Sequence, residues 1–161
     1  MGIEIERKFL VTSDAWRNLA PAVHYAQGYL SREPNRTVRV RTAGGKGFLT
    51  IKGRGIGIAH PEFEYEIPLA DARTMLAELA LQPVIEKTRT KIPFADYVWE
   101  VDEFFGDNAG LVVAEIELPS EDAHFEKPAW VGEEVTGDPR YCNSMLAANP
   151  YKNWRPNRGE P

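Results

Sequence analysis

Cysteine is nearly missing from this chain. Cys142 is the only one in 161 residues, so no intrachain disulfide can form and a cysteine-built metal site is excluded. A lone cysteine of this kind reads as a buried bystander rather than a nucleophile. Histidine is scarce as well: His24, His60 and His124 are scattered, and His60 and His124 fall outside the charge pattern described below. No apolar run approaches ~18 residues and no basic-then-hydrophobic leader precedes Glu4, which argues against a membrane span and a signal peptide and for a cytoplasmic protein. Positive charge is not in excess either, with 19 Lys and Arg against 24 Asp and Glu and a net charge of −5. That balance speaks against a general nucleic-acid binder, so any basic site must be local. Repeats, low-complexity blocks and linkers are absent, and the expectation is one domain over residues 1–150 followed by a polar, proline-bearing tail over 151–161.

What the chain does have is charge placed where strands usually carry apolar residues. Glu4, Glu6 and Lys8 alternate with Ile3, Ile5 and Arg7, and a strand of that pattern turns all three charges to one face. The inversion recurs at Arg39 and Arg41, at Lys52, at Glu62 and Glu64, at Glu100 and Asp102, and at Glu115 and Glu117. Single strands with a charged face are ordinary in a half-wetted sheet. So many in one chain, with like charges two residues apart, point to a barrel with an ionic interior.

Alternation and turn residues place strands near 2–11, 23–32, 36–43, 46–53, 60–68, 83–93, 96–104 and 110–118. Gly44-Gly45 between two of them is a hairpin signal. Leu69, Ala72, Met75, Leu76, Leu79 and Ala80 recur at helical spacing and predict a covering helix. A shorter helix is expected from Ser13 or Asp14, carrying Trp16 and Leu19 to Pro21, and a last one from Pro139 to Asn149-Pro150. The fold class is α+β: an eight-stranded antiparallel β-barrel with a few covering helices. Its outward apolar residues (among them Ile3, Phe9, Val40, Ile51, Phe63 and Tyr65) need cover from helices or from a second copy, which makes a homodimer an expectation.

An ionic interior is tolerable only with paired signs, water or a charged ligand. The cations Lys8, Arg39, Arg41, Lys52, Lys87 and Arg89, with Arg54 and Lys91 as looser members, mix guanidinium forks with point charges, which suits a chain of phosphates. The anions Glu4, Glu6, Glu62, Glu64, Glu100, Asp102, Glu115 and Glu117 have no His or Cys beside them in the charge pattern and suit a hard cation, Mg²⁺ or Mn²⁺. The Gly53-Arg54-Gly55-Ile56-Gly57 stretch lacks the Lys-Ser/Thr of a phosphate-cradling loop and reads as a turn.

The ordered series Glu4-Ile5-Glu6-Arg7-Lys8 (an ExExK pattern), Gln27-Gly28-Tyr29-Leu30, Val38-Arg39-Val40-Arg41, Thr50-Ile51-Lys52-Gly53, Glu62-Phe63-Glu64-Tyr65, Glu86-Lys87-Thr88-Arg89, Trp99-Glu100-Val101-Asp102, Ala114-Glu115-Ile116-Glu117 and Val135-Thr136 resembles the CYTH superfamily, the triphosphate tunnel metalloenzymes, over roughly residues 2–148. The resemblance implies an eight-stranded tunnel that binds a small-molecule triphosphate and cleaves it with a divalent metal. By matching motifs, Glu4, Glu6, Glu115 and Glu117 look like metal ligands. Lys8, Arg39, Arg41, Lys52, Lys87 and Arg89 look like phosphate ligands. Lys8, Lys87, Glu6 and Glu117 are the candidates for a direct part in catalysis, and Glu62, Glu64, Glu100 and Asp102 for a supporting acidic role. The leading expectation is hydrolysis of inorganic tripolyphosphate to pyrophosphate and phosphate. The alternatives are a class IV-type adenylate cyclase, a thiamine triphosphatase in which Trp16, Tyr25 or Tyr29 stacks at the tunnel mouth, and a polyphosphate-binding module without catalysis. No nucleic-acid or membrane partner is expected.

Overall fold

A computed structural model describes residues 2–156. Nine strands follow in chain order: β1 (Ile3–Val11), β2 (Ala22–Ser31), β3 (Arg36–Ala43), β4 (Lys46–Gly53), β5 (Ala59–Ile67), β6 (Leu81–Phe94), β7 (Tyr97–Phe104), β8 (Val112–Glu117) and β9 (Val131–Glu134). Helix α1 (Leu69–Glu78) lies between β5 and β6, and α2 (Asn143–Ala148) follows β9. The sheet order is β5-β4-β3-β2-β6-β7-β8-β1, all antiparallel, and a β5–β1 pairing closes it into an eight-stranded barrel. β1 closes the barrel: Glu6–Leu10 pair with β8, Ile3–Ile5 with β5, and Phe9 and Val11 with the extra strand β9. No helix among the described residues is long and apolar enough to cross a membrane.

The turns follow from residue type. Gly44 and Gly45 have φ of +55° and +88°, the left-handed pair that matches a two-residue turn to the strand twist. Gly28 lets α1 press on β2, since a Cβ there would lie 2.9 Å from Ala80 Cβ.

Two apolar clusters cover the barrel and a third reaches into one end of it. The first packs Phe9, Val101, Ala114 and Ile116 under Trp16, Trp99 and Trp130, with Phe125 edge-on to Phe9 and Trp99. The second joins Val40 to Ala72, Leu76 and Ala80 at α1. The third sets Ile85, Phe104, Leu111 and Val113 against Val135, Tyr141, Leu146 and Ala147. Ile3, Ile51, Phe63 and Tyr65 remain exposed on the outside of β1, β4 and β5.

Two expected helices differ. Residues 12–20 form turns rather than a helix, with Asn18 at φ 65°. So short a segment does not repay helix nucleation, and its side chains are claimed elsewhere: Trp16 enters the first cluster and Arg17 Nη1 donates to Glu103 at 2.6 Å. Leu19 is exposed instead of packed. The last helix is broken into a 3₁₀ turn, Pro139–Tyr141, and α2, because Cys142 is extended at ψ 131°. That break turns the Tyr141 carbonyl away from helical bonding, and it accepts from Lys8 Nζ at 3.1 Å. Tyr151 and Trp154 pack on the third cluster, with the Trp154 ring 5.2 Å from Tyr141. Of the expected tail, residues 157–161 lie outside the described residues.

Candidate functional site

Register alone decides which side chains share the inside of the barrel, because directly paired residues on neighbouring strands point to the same face. Lys91 pairs with Glu100, Glu100 with Glu115 and Glu115 with Lys8. Glu6 pairs with Glu117, Glu4 with His60, Lys52 with Glu62, Thr50 with both Arg39 and Glu64, and Arg41 with Gln27. The opposite faces carry α1 and the first cluster, so this charged face is the inner one. Leu10, Ile85, Phe104 and Val113 share it, and all four belong to the third cluster with α2. One end of the bore is therefore filled with apolar side chains. The other admits water: Glu4, Glu6, Lys52, Glu62, Glu64 and Glu100 are all partly exposed. Two surface cavities of about 290 and 480 Å³ lie elsewhere and touch none of the charged inner residues.

The cations are held by specific partners. Asp102, 1 % exposed, accepts from Lys87 Nζ at 2.7 Å and from Arg89 Nε and Nη2 at 2.7 and 2.9 Å. Burial works against its charge, but the two cations outweigh burial and hold the carboxyl well below the ordinary range. Lys87 is fully buried, and burial brings its pKa down to about 8 despite the pull of Asp102. Glu100 braces Arg89 from the other side at 3.3 Å. Glu64 lies 3.1 Å from Arg41 and 3.6 Å from Arg39, and Thr50 Oγ1 donates to it at 2.8 Å. The Tyr25 ring sits among three cations, 5.1 Å from Arg41 Cζ, 5.0 Å from Arg89 Cζ and 6.0 Å from Lys87 Nζ, each favoured over the ring face. Even so the wall is crowded. Burial, then the neighbours Arg39 and Arg89, lower the Arg41 pKa to about 10.

The acidic wall gathers around one ammonium. Lys52 Nζ lies 3.4, 3.9 and 4.0 Å from Glu4, Glu6 and Glu62, so this lysine stands among carboxylates rather than with the arginines. Burial and a hydrogen bond with Glu62 raise Glu4 to about 7. Glu115 and Glu117 are raised too, by burial first and then by neighbouring carboxylates. Lys8 reaches Glu115 at 3.7 Å. No three His, Cys, Asp or Glu side chains among the described residues are closed around a metal position. The donor set still fits a hard divalent cation: every donor is a carboxylate oxygen, and the like charges of Glu4, Glu6, Glu115 and Glu117 are crowded.

Several sequence readings change here. His60 was placed outside the charge pattern, yet pairing opposite Glu4 puts it on the charged face, because strand β5 keeps strict alternation back from Glu62. Cys142 is exposed, not buried, since the break between the 3₁₀ turn and α2 leaves it at the surface. The aromatic residues expected at a tunnel mouth are elsewhere: Trp16 is in the outer first cluster, and Tyr25 and Tyr29 are buried among the cations. Arg54 is exposed beyond the end of β4. Gln27, fully buried on the inner face, went unassigned because a neutral residue leaves no mark in a charge pattern.

The chain is similar to known proteins over most of its length. The CYTH domain profile matches residues 2–142. An inorganic triphosphatase of Acetivibrio thermocellus is 56% identical over 155 residues, spanning 96% of this chain and 99% of the relative. An inorganic triphosphatase of Nitrosomonas europaea is 39% identical over 148 residues, spanning 89% and 96%. A crystal structure of an inorganic triphosphatase superposes with a TM-score of 0.61 at 36% identity, covering 89% of this chain and 96% of the other.

Proposed function

The chain belongs to the CYTH domain family, and from that premise we propose that it hydrolyses inorganic tripolyphosphate to pyrophosphate and phosphate with the help of a divalent metal. The observation that carries this reading is a wall of cations braced by Asp102, Glu64 and Glu100 facing a wall of oxygen-only carboxylates inside one closed barrel. Arg39, Arg41, Lys87 and Arg89 bind the phosphate chain and spread its charge, which is most of what phosphoryl transfer asks of a protein. Their anchors hold them in place before substrate arrives, so little reorganisation is left for the reaction itself. Lys8, tied to Glu115 and the Tyr141 carbonyl, reaches the same space from β1. Glu4, Glu6, Glu115 and Glu117 would hold the metal, Mg²⁺ or Mn²⁺, which would supply neutralisation of phosphate charge and an activated water. The reading includes a cytoplasmic setting.

A panel of tripolyphosphate, ATP, thiamine triphosphate and pyrophosphate, each with Mg²⁺ and with Mn²⁺, tests it. Phosphate release is expected to be fastest with tripolyphosphate. Cyclic nucleotide formed from ATP would make the chain a cyclase, and tight binding with no phosphate release from any substrate would make it a binding module.

The buried lysine supplies a second test. With Lys87 near 8 in the folded chain against an ordinary 10.5, the ammonium is lost as pH rises through about 8. A phosphate ligand must be charged, so kcat/KM is expected to fall along an alkaline limb near pH 8, and Lys87→Arg is expected to move that limb upward. The stability sign is opposite: between these two values the unfolded chain binds more protons, so Lys87 makes folding more favourable as pH rises. A kcat/KM that climbed through pH 8 would assign the neutral amine, not the ammonium, as the acting form.

A further inference from the structure

Gln27 stands out on the inner wall as the side chain with nothing to hold. It is 0 % exposed, and neither Nε2 nor Oε1 has a hydrogen-bond partner. An amide sealed from water and left without partners is costly, and such groups in folded proteins call for an explanation. Its place supplies one. Gln27 pairs across the strands with Arg41 on one side and with Ile85 of the apolar end on the other. The Nε of Arg41 and the Nε of Arg39 are buried and unpartnered as well. Three donors on adjacent inner positions of β2 and β3 are thus buried without a partner.

We propose that Gln27 is a substrate ligand: its Nε2 donates to an oxygen of the innermost phosphate, beside Arg39 and Arg41. This rests on the reading of the site as a triphosphate tunnel. A neutral amide suits that position because Arg41 is already crowded by Arg39 and Arg89, and another cation would add repulsion where an amide adds only a hydrogen bond. The amide also carries an acceptor, Oε1, which no Lys or Arg on this wall offers.

The test separates a ligand from a structural residue by the sign of two effects. Gln27→Met keeps the length of the side chain and removes both orphaned atoms. The free variant is expected to melt at the same temperature as the wild type or a few degrees higher, while kcat/KM for tripolyphosphate falls about tenfold or more. Gln27→Glu replaces the donor by an acceptor facing an anion and is expected to lose more. Tripolyphosphate itself is the second probe: the rise in Tm that it causes, which reports binding without turnover, shrinks in both variants. A melting temperature that drops in the unliganded Gln27→Met protein, or a kcat/KM and ligand-induced rise within about twofold of the wild type, overturns the assignment. A wild type that is stabilised by tripolyphosphate but releases no phosphate defeats the proposed hydrolysis and leaves the Gln27 comparison readable.

Discussion

Replacing Asp102 by alanine is expected to destabilise the protein by about 3–5 kcal/mol, seen as a fall of roughly 10 °C in Tm. The magnitude comes from what the substitution leaves behind. Lys87 has no exposure and Arg89 almost none, and both lose the only carboxylate within 3 Å. A buried charge without its partner bears the desolvation penalty in full. Urea and thermal unfolding of the purified variant measure it, and an unchanged midpoint would mean that water or another carboxylate already serves these cations. A companion variant sharpens the point. Converting Asp102, Lys87 and Arg89 together to Leu, Met and Met is expected to recover most of the stability, because apolar replacements of buried ionic groups are often neutral or better. It recovers none of the activity. That pair of results would show the triad to be kept for its charge geometry at some expense to the fold.

Arg39→Ala and Lys8→Ala are each expected to lower kcat/KM for tripolyphosphate about 10²–10³-fold, the range found when one preorganised charge-stabilising group is removed. The two should part company in stability. Arg39 contacts Glu64 at 3.6 Å, Glu64 is 39 % exposed, and Arg39 itself crowds Arg41. Its loss relieves as much as it removes, and Tm holds. Lys8 lies against the buried Glu115 and the Tyr141 carbonyl. Removing it leaves a carboxyl already raised by burial, which takes up a proton, so a modest loss of stability accompanies the loss of rate. Phosphate-release kinetics beside circular dichroism at matched pH make the comparison. Wild-type rates in both variants would remove these side chains from the phosphate path.

The barrel was readable because its inner face is charged. Where Glu, Lys and Arg alternate with Ile and Val, both the strand and its inward side can be read at once, and the bounds of β1, β3, β4 and β7 lie within a residue or two of those expected from alternation. β9 was not expected: four residues, Val-Gly-Glu-Glu, show no period, and they are a strand only because β1 offers a free edge beyond its β5 pairing. The turn segment 12–20 and the broken last helix were misread for a shared reason. In each, a tertiary demand, Trp16 into the core or the Tyr141 carbonyl onto Lys8, overrides a capping signal that is worth only about 1 kcal/mol. The inner face was legible in its charges and silent in its neutral residues. Nothing local distinguishes Gln27 on β2 from a surface glutamine, whereas His60, two residues before Glu62 on β5, shares its face by alternation alone.

With Leu10, Phe104 and Val113 backed by Leu146, the cylinder is a vessel with a floor. On the proposed reading a reactant and its fragments share the wetted end, where Glu4, Glu6 and Lys52 are partly exposed, and a fragment that lingers bars the next arrival. Departure of the longer fragment, which would keep more contacts with the wall, is then expected to set the pace of repeated rounds.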